Sequence, residues 1–499
     1  MFRIIMLAVT LGGLPLFLTD AYGNETNTLL HEQAIVFETM DGQKTDAFAG
    51  RLQVPENRSS SASRTIQLHY VRFPSTASKP GAPIIYLAGG PGGSGIMTAR
   101  YPGFRYPLFM ALRAHGDVIA LDQRGTGESN DLPKCLSEIA VPLAARTSDD
   151  HLATLTGQAA RQCISFWTEQ GIDVTGYNTM ESATDLNALR QALGAEKISL
   201  WGISYGSHLA LASLKVMPNQ IDKIVIASAE GLNQTVKLPS RTDAYFERIQ
   251  TAINSQPGSA AIYPDISGMV RRVHKKLDRQ PILLSIPDDS GQTRAFLFQR
   301  YHMQAIASGM IADPHRGVEP LLATYRSIDL LPVEQITSQL IRLVQRAGLA
   351  EPNFSFELMP LTMDIASGIS PDRLTEVTEQ GRDSLLGTML NFPMTQLANH
   401  FPELDLGEQF RQAPISEVPT LLLTGTLDGR TYPEGQAEAV KGMKNLTQVT
   451  VVNAGHNLFM VSPEVTAVIH EFMRGQPVSK HKIIVPLPAA WKDLNQDRD

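Results

Sequence analysis

Cysteine is almost missing from this chain: Cys135 and Cys163 are the two in 499 residues, and neither belongs to a CxxC pair. That excludes the usual cysteine-based zinc and redox motifs, and no metal or cofactor is expected. Clusters of lysine and arginine are missing too, and the net charge of -7 argues against a nucleic-acid partner. After residue 18 no stretch holds 18 uninterrupted apolar residues, so no stable membrane insertion is expected of the mature chain. Internal repeats are absent and low-complexity tracts are few. What remains, 43% hydrophobic and 19% charged residues, is the composition of an ordinary globular protein.

The one long apolar run lies at the start. Met1-Phe2-Arg3 is a short basic opening, Ile4 to Leu18 is apolar with few breaks, and Ala21-Tyr22-Gly23 supplies small residues for cleavage. Residues 1–23 are read as a signal peptide removed on export to the periplasm or the medium, a retained anchor being the alternative. In an oxidising compartment an even cysteine count predicts one disulfide, Cys135 to Cys163, stabilising by about 3 kcal/mol. Two unpaired core thiols are the alternative.

Periodicity gives the architecture. Ala34 to Phe37, Ala47 to Val54 and Thr65 to Phe73 alternate apolar and polar residues, as in the antiparallel opening of a sheet. Pro83 to Leu87, Val118 to Leu121, Ile198 to Leu200 and Ile224 to Ala227 are continuous apolar runs, as in buried parallel strands. Helical patterns separate them; in one, Leu186, Leu189 and Leu193 share a face before Gly194. The sum is an α/β fold with a mostly parallel central sheet flanked by helices. From residue 240 to 414 the pattern turns mostly helical, as in Ile266 to Leu277, Pro332 to Ala347 and Arg382 to Leu397. Strand patterns return at Pro419 to Leu423 and Val449 to Val452, and a last helix is expected over Pro463 to Met473. One core domain (24–239 and 415–499) is therefore interrupted by a helical cap (240–414).

Gly202-Ile203-Ser204-Tyr205-Gly206 stands between a strand pattern and a helix pattern. Such a junction is a sharp turn that lifts the serine above the sheet, with the helix N-terminus favouring negative charge beside it. A serine nucleophile needs a base and an orienting carboxylate. Asp428 and His456 each follow a strand pattern, in the order Ser, Asp, His that α/β hydrolases use. Gly89-Gly90-Pro91-Gly92-Gly93-Ser94-Gly95 follows an earlier strand. It contains GxGxxG, so a dinucleotide site with Asp117 or Asp122 as the ribose acid competes with an oxyanion loop. Pro91 in the tight turn speaks for the oxyanion loop, in which the N–H groups of Gly90 and Tyr205 would hold the oxyanion. Asp122 and Arg124, in Asp122-Gln123-Arg124-Gly125-Thr126-Gly127, are expected either to brace that loop or to make a surface salt bridge.

These segments together strongly resemble the prolyl aminopeptidase family of serine peptidases, and most of all its exported tripeptidyl aminopeptidase branch. Gly50 to Arg58 and Ala229 to Ser240 add to the likeness, which covers about residues 45–240 and 400–475. The resemblance implies an α/β-hydrolase fold and cleavage at peptide N-termini, with a helical cap limiting access to chain ends. Three departures stand out. Ala88 replaces a frequent histidine at the start of the oxyanion loop, and Ala49 replaces a frequent cysteine. Tyr205 replaces the tryptophan of strict prolyl aminopeptidases, which speaks against proline specificity. An aminopeptidase must also recognise an α-ammonium, which calls for a buried carboxylate. Glu230, just after a strand at the same sheet edge, is the first candidate, with a loop-capping role as the alternative. Asp265 and Asp364 in the cap are not ranked. A carboxylesterase with the same triad is the competing activity, since neither triad nor oxyanion hole distinguishes ester from amide.

Overall fold

The short apolar runs become the strands at the centre of the molecule, because a strand with helices on both faces has no polar side to show. The computed structural model describes residues 30–287, 291–398 and 400–488, so the segment read as a signal peptide lies outside it. In chain order the strands are β1 (Leu30–Glu38), β2 (Lys44–Pro55), β3 (Thr65–Phe73), β4 (Ile84–Leu87), β5 (Val118–Leu121), β6 (Cys135–Ala140) and β7 (Ile198–Ser204). There follow β8 (Ile221–Ala229), β9 (Ile282–Pro287), β10 (Thr293–Phe298), β11 (Asn353–Phe356), β12 (Thr420–Gly425), β13 (Leu446–Val452) and β14 (Lys482–Ile484). All residues of β4 and β5 are buried.

Ten strands form one sheet in the order β1-β2-β3-β5-β4-β7-β8-β12-β13-β14. β1, β2, β3 and β5 pair antiparallel, and every pairing from β5 to β14 is parallel. After β4 the chain moves to one side for β5 and to the other for β7, so the order reverses at β4. In open sheets of this kind ligands bind at such a reversal, outside the strand C-terminal ends.

One face of the sheet packs on helices Asp149–Glu169, Thr179–Ala192 and Tyr205–Val216, and the other on Tyr106–Leu112 and Pro463–Met473. Gly194 follows the second of these helices at φ 65, and the N–H of Ala195 closes back on the Arg190 carbonyl, as expected at a helix end.

The segment between β8 and β12 has its own core, built from Tyr245, Phe246, Val270, Leu322 and Leu340 among others. It departs from the sequence reading in three ways. Helices dominate it, but β9 and β10 form an antiparallel hairpin, and β11 pairs with β6 of the core. The helix expected over Arg382 to Leu397 is broken into a turn, a 3-10 turn at Met389–Asn391 and the short helix Met394–Leu397. Gly387 at φ 56 and Pro393, which has no N–H, interrupt the helical ladder there. Finally, the segment does not sit apart. Leu358, Met359, Leu361 and Ile365 of helix Leu358–Ser367 belong to the same apolar cluster as the sheet.

Cys135 on β6 and Cys163 on the helix Asp149–Glu169 are joined in a disulfide, their Cα atoms 5.6 Å apart. The cross-link closes a loop of 28 residues. Removing it with Cys135→Ser/Cys163→Ser should lower the unfolding free energy by about 3 kcal/mol. Denaturant titration with and without reductant reads this: reductant should move the parent protein to the variant's midpoint and leave the variant where it is.

Candidate active site

Ser204 ends β7 and adopts φ 55, ψ -127, outside the regions open to ordinary residues. The cause is crowding. A Cβ on Gly206 would lie 2.0 Å from the Leu87 carbonyl oxygen, and one on Gly202 would lie 2.6 Å from the Gly206 oxygen. Strand and helix can cross this closely only without side chains, and the serine between them is turned outward, half-buried. The helix Tyr205–Val216 starts at the next residue, so the N–H of Tyr205 lies outside the helix's own hydrogen-bond ladder.

The glycine-rich loop after β4 passes directly beside this serine. A Cβ on Gly89 would lie 3.2 Å from Ser204 Cβ and 3.8 Å from its Oγ. Gly90 is exposed and has φ 127. Asp122, fully buried, holds the loop: its Oδ1 accepts from Ser94 Oγ at 2.6 Å and from the Ile96 N–H at 3.0 Å, and its Oδ2 from the Glu128 N–H at 2.8 Å. Each carboxylate oxygen is thus engaged within the protein. Arg124 does not join this brace. It is buried against Asp185 and Glu181, with Nε 2.8 Å from Asp185 Oδ2, and it donates to the carbonyls of Glu56 and Gly176. It is neither a loop brace nor a surface ion pair; it ties the end of β2 to the helix Thr179–Ala192.

Asp428 and His456 stand on the loops after β12 and β13. His456 Nδ1 lies 3.1 Å from both Asp428 carboxylate oxygens. Asp428 is fully buried and also accepts from the N–H groups of Arg430 (2.8 Å) and Thr431 (3.1 Å), from Thr431 Oγ1 (2.8 Å) and from Gln436 Nε2 (3.0 Å). Burial alone would raise its pKa, but His456 and these donors outweigh it and hold the carboxyl well below the usual range. Asp428 is therefore a fixed anion that orients and can stabilise a protonated His456. The His456 main chain is pinned as well: its N–H donates to the Ala312 carbonyl at 2.8 Å, and its carbonyl accepts from Ser228 Oγ at 2.7 Å. Ser228 precedes Ala229, which pairs with Ser204 across β7 and β8, so the histidine loop is tied to the strand beside the serine.

Ala312 belongs to the inserted segment, and sequence reasoning did not foresee that residues 311–314 hold the histidine loop. A Cβ on Gly429 would lie 2.2 Å from the Ile311 oxygen, and one on Gly455 would lie 2.4 Å from Pro314 Cδ. The glycines next to Asp428 and His456 were the available signal, since each makes room for a close neighbour.

Glu230, 5% exposed, follows Ala229. Its N–H donates to Ser207 Oγ at 2.8 Å, and that hydroxyl donates to the Ser204 carbonyl. Its Oε2 accepts from Lys237 Nζ at 2.6 Å. The two cap aspartates now separate. Asp265 caps the helix Ile266–Arg279 by accepting from the Gly268 N–H. Asp364 makes no hydrogen bond through its carboxyl among the described residues and is close enough to Glu230 to feel its charge. Burial first, then Glu230, push its pKa up to about 7, against the opposing pull of Lys237 and Arg430.

A carboxyl with a folded pKa above its unfolded one stabilises the fold fully below the unfolded value, and that contribution is lost as pH rises through the folded value. For Asp364 the window runs from the ordinary value of 3.8 to about 7. Asp364→Asn should therefore gain in Tm relative to the parent between about pH 5 and pH 8. A gap in Tm that stays constant across this range would show that Asp364 is not the group described.

The chain has measurable relatives. Residues 82–291 match the family described as the alpha/beta hydrolase fold. Over 195 residues the chain is 29% identical to the serine protease Hip1 of Mycobacterium tuberculosis, covering 38% of this chain and 36% of Hip1. Over 206 residues it is 24% identical to the tripeptidyl aminopeptidase of Streptomyces lividans, covering 40% and 37%. The matches thus span little more than a third of these relatives' length. Among solved structures it is similar to a proline iminopeptidase-related protein from Thermus thermophilus (15% identity, 90% of this chain and 99% of that one, TM-score 0.36). An epoxide hydrolase from an endophytic Streptomyces gives 16% identity, 92% and 99% coverage and TM-score 0.35. With its strand order, its crossovers and the match over residues 82–291, the chain has the alpha/beta-hydrolase fold.

Proposed function

We propose that the protein is an exported serine exopeptidase that removes residues or short peptides from free N-termini. The observation that carries the hydrolytic part is Asp428 bonded to His456, with the histidine loop tied to the strand beside the outward-turned Ser204. In this reading Ser204 Oγ attacks the scissile carbonyl and His456 takes its proton. His456 then gives that proton to the leaving amine, and water, activated in the same way, releases the acyl group from Ser204. The backbone N–H groups of Gly90 and Tyr205 receive the oxyanion; losing one such donor typically costs about 3 kcal/mol of transition-state stabilisation.

Peptide N-termini are the favoured substrates because of Glu230. It is a buried carboxylate whose main-chain N–H is linked through the Ser207 hydroxyl to the Ser204 carbonyl, and Asp364 is close enough to feel its charge; this reading docks the substrate's α-ammonium on these two acidic groups. The names of the relatives, a serine protease and a tripeptidyl aminopeptidase, agree with this choice. Carboxylesterase activity through the same triad is the second reading, favoured by the generality of the oxyanion site. Export to the periplasm or the medium is supported by the N-terminal apolar run and by the disulfide.

Fluorophosphonate should label the protein at Ser204 and fail on Ser204→Ala. Asp428→Asn should lower kcat by about four orders of magnitude, since the histidine loses its orienting anion. Mass spectrometry of products from one peptide, free and N-acetylated, decides the specificity. Cleavage of the free form alone is expected; equal cleavage of both, or turnover of nitrophenyl esters without any amide turnover, would remove the exopeptidase reading.

A further inference from the structure

Glu230 already holds a cation of the protein's own. Lys237 Nζ stands 2.6 Å from Glu230 Oε2 and also donates to the Thr235 carbonyl at 3.0 Å. This is not a surface lysine that happens to reach inward, because its main chain is clamped by the inserted segment. The Lys237 N–H donates to Asn391 Oδ1 at 2.6 Å, and Asn391 Nδ2 donates back to the Lys237 carbonyl at 2.8 Å. One residue earlier, Arg373 Nε donates to the Val236 carbonyl at 2.8 Å. Asn391 is itself buried, so the strap that presents Lys237 is fixed from both sides.

The other charges nearby do not take its place. Arg241 is paired with Glu438, and Arg430 donates to the Ser308 carbonyl. Arg373 lines the same small pocket as Glu230, Lys237 and Tyr432, but no ion pair joins it to Glu230 among the described residues. His208, whose Nδ1 lies 3.2 Å from the Gly231 carbonyl, is fully buried, and that burial lowers its pKa. Lys237 is therefore the cation in contact with Glu230, and a primary ammonium is the chemical group that an N-terminal substrate would bring.

We propose that Lys237 is a specificity-determining residue, an internal ammonium that occupies Glu230 in the free protein and that a substrate's α-ammonium must displace. The proposal rests on the aminopeptidase reading given above. An internal competitor is always present at high effective concentration, so it weakens every amine ligand by a constant factor. A single aminoacyl group offers little else with which to overcome that factor, whereas a longer N-terminal stretch adds contacts further along. Lys237 thus raises the concentration of free-amine substrate the protein needs, and substrates with several ordered residues before the scissile bond still saturate it where a single aminoacyl group does not. When displaced, its Nζ retains the Thr235 carbonyl as a partner.

Steady-state kinetics with Lys237→Met, Lys237→Arg and the parent protein test this. One substrate is an aminoacyl p-nitroanilide with a free amine, and the other is p-nitrophenyl acetate, which has none. Removing a like charge at this range is expected to lower KM for the anilide about fivefold in Lys237→Met. KM for the acetate should move far less, and Lys237→Arg should keep the parent's ratio of the two KM values. Lys237→Gln keeps the side chain polar and serves if the methionine variant does not fold. An anilide KM that is unchanged or raised in the neutral variants, in a parent protein that does prefer free amines, overturns the role of Lys237 alone. A parent protein that hydrolyses the acetate and no free-amine amide overturns the aminopeptidase reading on which it rests.

Discussion

The site depends on how closely two backbones approach at the ends of β4 and β7. There is no room for a Cβ at Gly206 against the Leu87 carbonyl, nor at Gly202 against Gly206. That closeness forces Ser204 to a positive φ and brings the glycine-rich loop within van der Waals reach of it. Such strain persists only where its surroundings over-determine it. Here the surroundings are a sheet buried on both faces, two helices and the Asp122 brace. The serine's exposure is thus a property of the crossing, and little of it is due to the serine itself.

The carboxylates of the region divide by their partners. Asp428 is surrounded by donors and stays ionised. Asp122 spends both oxygens on loop geometry. Glu230 has one ammonium on one oxygen, and Asp364 has no hydrogen-bonded partner among the described residues. Burial, then the Glu230 charge, raises the Asp364 pKa, because the charged form has no such partner to offset its lost hydration. Asp428 and Asp122 are saturated; Glu230 and Asp364 are not.

Much of this was legible in the sequence because it depends on local rules. Four apolar residues in a row at 84–87 and 118–121, short and bounded by turn residues, read as doubly covered strands, and glycines on both sides of Ser204 mark the sharp turn. The helix Pro463–Met473 was legible to the residue, its proline at the start and its apolar face being local signals. What was not legible depends on distant contacts. β9 and β10 become strands through each other, β11 through β6, and β14 through β13. Arg124 looked like a partner for Asp122 two residues away, yet its side chain goes to Asp185, which no local pattern could announce. The Lys237–Glu230 contact is short in sequence but needs the Asn391 clamp from more than 150 residues on.

One feature of the inserted segment bears on how such proteins diversify. The turn Ile311 to Pro314 lies against both catalytic-side loops, and Ala312 supplies the acceptor for the His456 N–H. The inserted segment therefore sets the posture of the histidine. Exchanging residues 240–414 wholesale would also remove the turn that holds the His456 N–H. A graft that keeps the 311–314 turn and replaces what surrounds it leaves that hold intact, so the natural dividing line runs through the middle of the insertion rather than along its edge.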